Sequence, residues 1–352
     1  MRALLTSLGV AGLIGLGLTA VAPAAVADDS PSSFTIEDPK ITESSGLAAS
    51  RVHPGVYWTH NDSDDGPYIY AVDSRTGRVV ATVTMRGIGD PRDVEAISIG
   101  PDGDVYVGDI GDNLNGTWPK VWIYRFPEPK QLRDVTVKAT QFTVRYEDGP
   151  RDAEALMVHP VTGRVYIASK SQDKGRLYAG PERLSTSGEN VFRRVMDLGD
   201  WGFDKGVTDG AFSPDGSRLV LRGYISVVEY RWKKDGKPTP LEQSPPMPFL
   251  RQGESVTFTP DGGTLMYGSE GERSPVKAKE LDGELLPDAT AKAREQGDDG
   301  KGGGGSESDD GGSGGGDDRS VLVGALAVGA LALVFFGARG KGKGKGKRRA
   351  GD

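Results

Sequence analysis

The sequence predicts an all-β chain, a β-propeller of five blades with six as the alternative, followed by one C-terminal transmembrane helix. Three observations predict it. Short β-rich runs alternate with Gly, Pro, Asp and Asn, and almost no helical periodicity appears in the body. One outline recurs five times: a short apolar strand, a tight turn, then a strand ending in polar residues. Finally, both ends carry apolar runs whose flanks read as export and anchoring signals.

The N-terminal run comes first. Met1-Arg2 leads into an apolar stretch to Val21, and Ala24-Ala25-Val26-Ala27 precedes Asp28-Asp29. This layout predicts a secretory signal peptide over 1–27, with an uncleaved anchor as the alternative. The chain has no cysteine, so an exported body must stand on its own core without disulfides. Residues 32–290 supply that body, large enough for one domain.

The five repeats follow in order. Ser45–Ser50 turns at His53-Pro-Gly55 into Val56–His60. Glu95–Gly100 turns at Pro101-Asp-Gly103 into Asp104–Asp109. Glu154–His159 turns at Pro160–Gly163 into Arg164–Ala168. Thr208–Ser213 turns at Pro214-Asp-Gly216 into Arg218–Arg222, and Glu254–Thr259 turns at Pro260–Gly263 into Thr264–Gly268. In such turns proline presets φ and glycine accepts a positive φ. The repeats start about fifty residues apart, which is room for four short strands. A four-stranded unit cannot bury both faces alone, so the units are expected to stack radially. The fifth unit is one strand short, and Ser33–Glu37 is expected to supply it. A sixth, degenerate unit inside the long second repeat stays open, and a β-sandwich is a third option. Tyr70, Trp122, Tyr124 and Tyr166 are expected in the core between units.

Residues 291–319 are built largely from Gly, Asp, Ser and Glu and predict a disordered linker. The following run, 320–338, holds no charge from Val321 to Ala338, about 18 residues or roughly 27 Å of helix. Seven cations, Arg339, Lys341, Lys343, Lys345, Lys347, Arg348 and Arg349, then mark 339–352 as a basic cytoplasmic tail. The expected location is the cell membrane, single-pass, with the bulk of the chain extracellular. The formal net charge of −7 is partly the linker's and is not a property of the body.

In a four-stranded antiparallel unit, the start of the inner strand and the end of the second share one face, opposite the Pro-Asp-Gly turns. On that face lie Asp90-Pro-Arg92-Asp93-Val-Glu95-Ala and its near repeat Gly149-Pro-Arg151-Asp152-Ala-Glu154-Ala. Thr208-Asp209 and Gly253-Glu254 join them from the inner strands; His60–Asp62, Gly108–Asn113 and Lys170 come from second-strand ends. Glu95, Glu154 and Glu254 occupy equivalent positions, so in a closed ring they converge on a channel mouth. Converging carboxylates repel unless a cation lies between them. Hard oxygen ligands suit Ca2+, and Asp62, Asp112 and Asn113, with Asn61, add oxygens. The alternative is an ion-pair ring in which Arg92, Arg151 and Arg251 neutralise the acids. Only His60 of the three histidines falls on this face, and the body holds neither G-x-S-x-G nor H-E-x-x-H.

At its P-R-D-x-E-A and G-D-I-G-D-N stretches the chain resembles the SdiA-regulated and phytase-like group of secreted propellers. It resembles more strongly a set of actinobacterial membrane-anchored proteins with no assigned activity. The likeness covers 44 to 130 well and the remainder loosely. It implies a secreted propeller, often with calcium near the channel; the phytases' dense lysine and carboxylate cluster around phosphate is not evident here. The expected function is a cell-surface binding or interaction module with Ca2+ at the acidic mouth and an extracellular ligand or envelope partner, and no nucleic acid. A calcium-dependent hydrolase of phytase-like or lactonase-like type is the alternative, so whether the chain is an enzyme stays open.

Overall fold

The computed structural model describes residues 31–299, apart from 64, 115, 171–174 and 200–205. The expected signal peptide, transmembrane run and basic tail lie outside the described residues. Among the described residues no helix is long and apolar enough to cross a membrane.

The body is all-β. Strand β1 (Phe34–Thr35) precedes a first unit of β2 (Ser44–Ala49), β3 (Val56–Asn61), β4 (Tyr68–Asp73) and β5 (Arg78–Arg86). The second unit is β6 (Val94–Ile99), β7 (Asp104–Asp109) and β8 (Val121–Pro127), then β9 (Val135–Lys138) and β10 (Thr140–Tyr146). The third is β11 (Ala153–Val158), β12 (Val165–Ser169), β13 (Arg176–Ala179) and β14 (Glu189–Asp197). The fourth is β15 (Asp209–Phe212), β16 (Arg218–Arg222), β17 (Val227–Trp232) and β18 (Pro238–Pro240). The fifth has β19 (Gly253–Phe258), β20 (Thr264–Ser269) and β21 (Pro275–Glu280).

Each repeat of the sequence becomes one antiparallel unit. The missing strand of the fifth is β1, which pairs antiparallel with β21 through Phe34–Val276 and Thr35–Pro275. Among the described residues the long second repeat holds no further unit. Its extra strand, β9, instead adds in parallel to the outer edge of β5, while β10 completes the second unit. A parallel β10–β14 pairing then merges the second and third units into one eight-stranded sheet. Outer edges that would otherwise be open are paired in this way.

The inner strands close on themselves. β2 packs against β6, β6 against β11, β11 against β15, β15 against β19, and β19 against β2. Apolar core sits at every junction. Trp58 and Tyr124 belong to one core between the first and second units, and Ile123 and Tyr178 to another between the second and third. Tyr166 and Tyr230 fill the next junction, Val220 and Tyr267 the next, and Tyr57 and Met266 the seam between fifth and first. Leu47, Ile97, Val158, Ala211 and Phe258, one from each inner strand, line an axial cavity of about 350 Å3 on the turn side. All five turns there place a glycine in the left-handed region: Gly55, Gly103, Gly163, Gly216 and Gly262, with φ between 69° and 76°.

The body runs further than the sequence suggested. Helix α1 (Asp288–Asp299) occupies the first part of the expected linker. Ala289, Ala291 and Ala293 with Lys292, Arg294 and Glu295 are good helix formers. Thr290 Oγ1 donates to Asp261 O at 2.6 Å and Arg294 Nη1 to Leu281 O at 3.1 Å, docking the helix on the fifth unit.

Candidate functional site

The inner strands carry a local irregularity that builds the site. In β2, β6, β11 and β19 the ladder to the second strand slips near the start, by one extra inner-strand residue. The slips fall across Ser45-Gly46, at Glu95, at Glu154 and across Glu254-Ser255. A bulge re-aims the side chain it carries. Here one polar residue from each of four units turns to the same mouth of the ring. Strand β15 has no slip. Its Asp209 carboxylate instead accepts from Gly210 N at 2.7 Å and, across the junction, from Val256 N at 2.8 Å.

The carboxylates at the mouth crowd one another. Asp62, Asp93 and Glu95 each place an oxygen within 4.8 Å of the other two. Asp62 arrives from the loop after β3, whose carbonyl accepts from Val94 N at 2.9 Å and so ties the first unit to the second. Asp93 is oriented by Asn113, which donates from its backbone N at 3.2 Å and from Nδ2 at 3.0 Å. Ser45 Oγ donates to Glu95 Oε2 at 3.0 Å from the neighbouring inner strand. Gly111 packs directly on this group: a Cβ there would stand 2.6 Å from Asp93 Cγ and 2.8 Å from Glu95 Cγ.

Glu154 lies beside them, 4% exposed, with Oε1 bonded to the ammonium of Lys170 and Oε2 buried without a partner. Asp62 Oδ1 is likewise buried and unpartnered. Glu254 completes the ring of acids at 7% exposure. Asp112 is fully buried but its carboxylate is spent on the loop, accepting from Leu114 N at 3.1 Å and Trp118 N at 2.6 Å. Of the residues singled out from sequence, the structure thus brings Asp62, Glu95, Glu154 and Glu254 to the mouth, while Asp112 and Asn113 shape the loop behind Asp93.

Among the described residues the alternative, an arginine ring paired with these acids, is not formed. Arg92 is held between the Trp118 and Trp122 rings, 3.8 Å from each centroid. Arg151 donates to Tyr178 Oη at 2.9 Å and pairs with Asp148 at 3.1 Å, and Arg251 is exposed. Arg222 is fully buried behind the mouth and gives Nη1 to the carbonyls of Ser255 and Gly268. Among the described residues, Lys170 is the cation paired with the mouth carboxylates.

One lysine among so many acids leaves their ionisation suppressed. Burial, then the Asp93 carboxylate, pushes Asp62 up to about 8. Burial raises Glu154 to about 9 against the pull of Lys170, and Glu254 to about 7. Glu95 is raised well above the usual range by burial, then by Glu154, Asp62 and Asp93. Burial opposes the Lys170 charge, yet Glu154, Tyr224 and Glu95 together hold its pKa above the ordinary lysine value. His60, 1% exposed, has Nδ1 at 3.1 Å from Asn61 O and an unpartnered Nε2; burial lowers it to about 4.

Two members of the site were not singled out as ligands from sequence. Asp93 was visible in the repeated Asp-x-Glu-Ala, which places an acid two residues before Glu95 and before Glu154. Lys170 stands just past the end of β12, the position from which the other units also extend polar residues toward this face.

No family model matches this chain, and no curated protein does. Among solved structures it is similar to a putative 6-phosphogluconolactonase from Bacteroides uniformis, at 14% identity and a TM-score of 0.39, covering 71% of this chain and 69% of that one. It is also similar to a chain of a mitotic checkpoint complex, at 14% identity and a TM-score of 0.35, covering 67% and 63%. The site is therefore read from its own residues.

Proposed function

We propose that the chain is a five-bladed β-propeller, presented outside the cell, whose acidic channel mouth binds a divalent oxygen-seeking cation such as Ca2+ and serves as a binding module. The closed ring of inner strands, a core at each of five junctions and the β1 clasp support the propeller. The terminal sequence features support the cell-surface placement.

The cation reading rests on one observation above all. Asp62, Asp93 and Glu95 converge within 4.8 Å, with an Asp62 oxygen buried and unpartnered. Burying like charges together is costly unless they protonate or find a cation. The donor set fits Ca2+: all oxygen, mostly carboxylate, drawn from a loop and an inner strand. Asp62, Asp93 and Glu95 would hold the ion, Asn113 would orient Asp93, and Ser45 would orient Glu95. Bound there, the ion would neutralise the mouth and offer coordination positions to an oxygen-bearing ligand from solvent.

Metal analysis and thermal melts of the purified protein test this. A cation present at a hundredfold its Kd adds about 2.7 kcal/mol to stability. A rise in Tm with Ca2+, reversed by chelator and absent in an Asp93→Asn/Glu95→Gln variant, is the expected result. No bound metal and no shift would leave these acids as a protonated structural cluster. Calcium-dependent turnover in a phosphoester and lactone panel would move the reading to a hydrolase.

A further inference from the structure

We infer that the mouth contains a second cation subsite, built on Glu154 and Glu254, whose occupant is the ammonium of the chain's own Lys170. This deepens the cation-binding reading and depends on it only for the first subsite at Asp62, Asp93 and Glu95.

The geometry is that of an occupied site. Glu154 is 4% exposed and gives one oxygen to Lys170 Nζ, while its other oxygen is buried with no partner. A lone ammonium therefore leaves half of this carboxylate unsatisfied, whereas a divalent oxygen-binding ion can take both oxygens. Glu254, 7% exposed, forms no ion pair among the described residues. The Tyr224 ring closes the other side, with its centroid 5.7 Å from Nζ.

Lys170 is also placed to leave. Its side chain is 27% exposed, against 5% for that of Glu154, so the lysine lies nearer to solvent than the carboxylate it pairs with. The backbone holds its stem in place. Gly206 has φ of 88°, and a Cβ there would lie 3.0 Å from Lys170 Cγ. A lysine is a compact charge on a flexible stem, suited to act as a tethered cation that a stronger one displaces. When the ammonium leaves, the buried Glu154 carboxylate must take either a proton or a divalent ion in its place. The chain thereby carries its own competitor at the second subsite.

Equilibrium dialysis of the full-length protein with Ca2+ gives the test. Wild type should bind one ion per chain at moderate Ca2+ and Lys170→Met two, with Lys170→Met/Glu154→Gln returning to one. First-site affinity in Lys170→Met should also rise, on the order of tenfold for one like charge removed. One ion in both wild type and Lys170→Met, at equal affinity, overturns the inference. No ion in wild type but one in Lys170→Met, lost with Glu154→Gln, keeps the second subsite and overturns the first. Should Lys170→Met fail to fold, wild type suffices: acetylation of Lys170 by acetic anhydride, which transfers its acetyl group to the free amine and releases acetate, should rise several-fold at saturating Ca2+, read by peptide mass spectrometry. Acetylation unchanged by Ca2+ overturns the proposal.

Discussion

Gly111 shows how closely the mouth is packed. It lies in the loop after β7, where Gly111 N donates to Asp93 O at 3.2 Å. A methyl group there would stand 2.6 Å from Asp93 Oδ2 and 2.8 Å from Glu95 Cγ, well inside van der Waals contact. The neighbours are side chains with limited freedom, because Asn113 holds one and Ser45 the other. Gly111→Ala is therefore expected to cost about 1–3 kcal/mol through overpacking and to weaken Ca2+ binding more than it weakens the fold. A melt combined with a Ca2+ titration checks it: normal binding in this variant would mean that Asp93 and Glu95 do not act as ligands. Gly253 has a similar constraint for another reason. A Cβ at Gly253 would fall on the Arg222 guanidinium, so the buried cation and the glycine come as a pair.

At the scale of elements, the clasp formed by β1 carries much of the closure with few residues. Only Phe34 and Thr35 pair in register, but Ile36 follows them into the core at 1% exposure, and its N donates to Ser274 O at 2.9 Å. Phe34 packs on Tyr57 of the first unit with ring centroids 5.6 Å apart. The segment thus ties the first and last units together. Ile36→Ala should cost about 2–5 kcal/mol, the range for a buried Ile truncated to Ala, read as a lower denaturant midpoint. A near-neutral effect would show that the ring closes without the clasp. This strand was legible in the sequence because the fifth repeat lacked one, and the Pro-Asp-Gly turns marked the other hairpins. The bulges were not legible. A one-residue slip leaves no mark in composition and is fixed by how the second strand ends, as with Ser45-Gly46 opposite His60. The sequence placed Glu95, Glu154 and Glu254 at equivalent positions but could not show that Lys170, from a second strand, reaches Glu154. Nor could it show that the two tryptophans hold Arg92 away from the acids. The helix over Asp288–Asp299 was hidden by the glycine- and aspartate-rich residues that follow it.

Across the whole molecule, the mouth sets how stability depends on pH. Asp62, Glu154 and Glu254, raised by burial first to about 8, 9 and 7, keep their protons in the folded chain after the unfolded chain has released them. Carboxylates in the unfolded state titrate near 4. Between that value and about 9 the folded state binds more protons, so stability falls as pH rises through this window. Glu229, buried between the fourth and fifth units and raised by burial to about 8, adds the same slope away from the mouth. His60 works on the opposite limb. Its folded pKa is lowered to about 4, so its contribution is lost as pH falls from about 6.5 through about 4. Without divalent cations, Tm should therefore decline from pH 6 to pH 9. Saturating Ca2+ should remove most of that decline, because the ion substitutes for the protons, and its affinity should rise over the same range as those protons leave. Whatever slope remains belongs to Glu229 and to Asp209, whose carboxyl burial also raises well above its ordinary value, and should shrink in Glu229→Gln. Melts at one-unit pH steps, with Ca2+ and with chelator, separate the two contributions. A Tm that rises or stays level from pH 6 to pH 9 in chelator would show that the mouth acids ionise freely, which removes the electrostatic ground for a cation there.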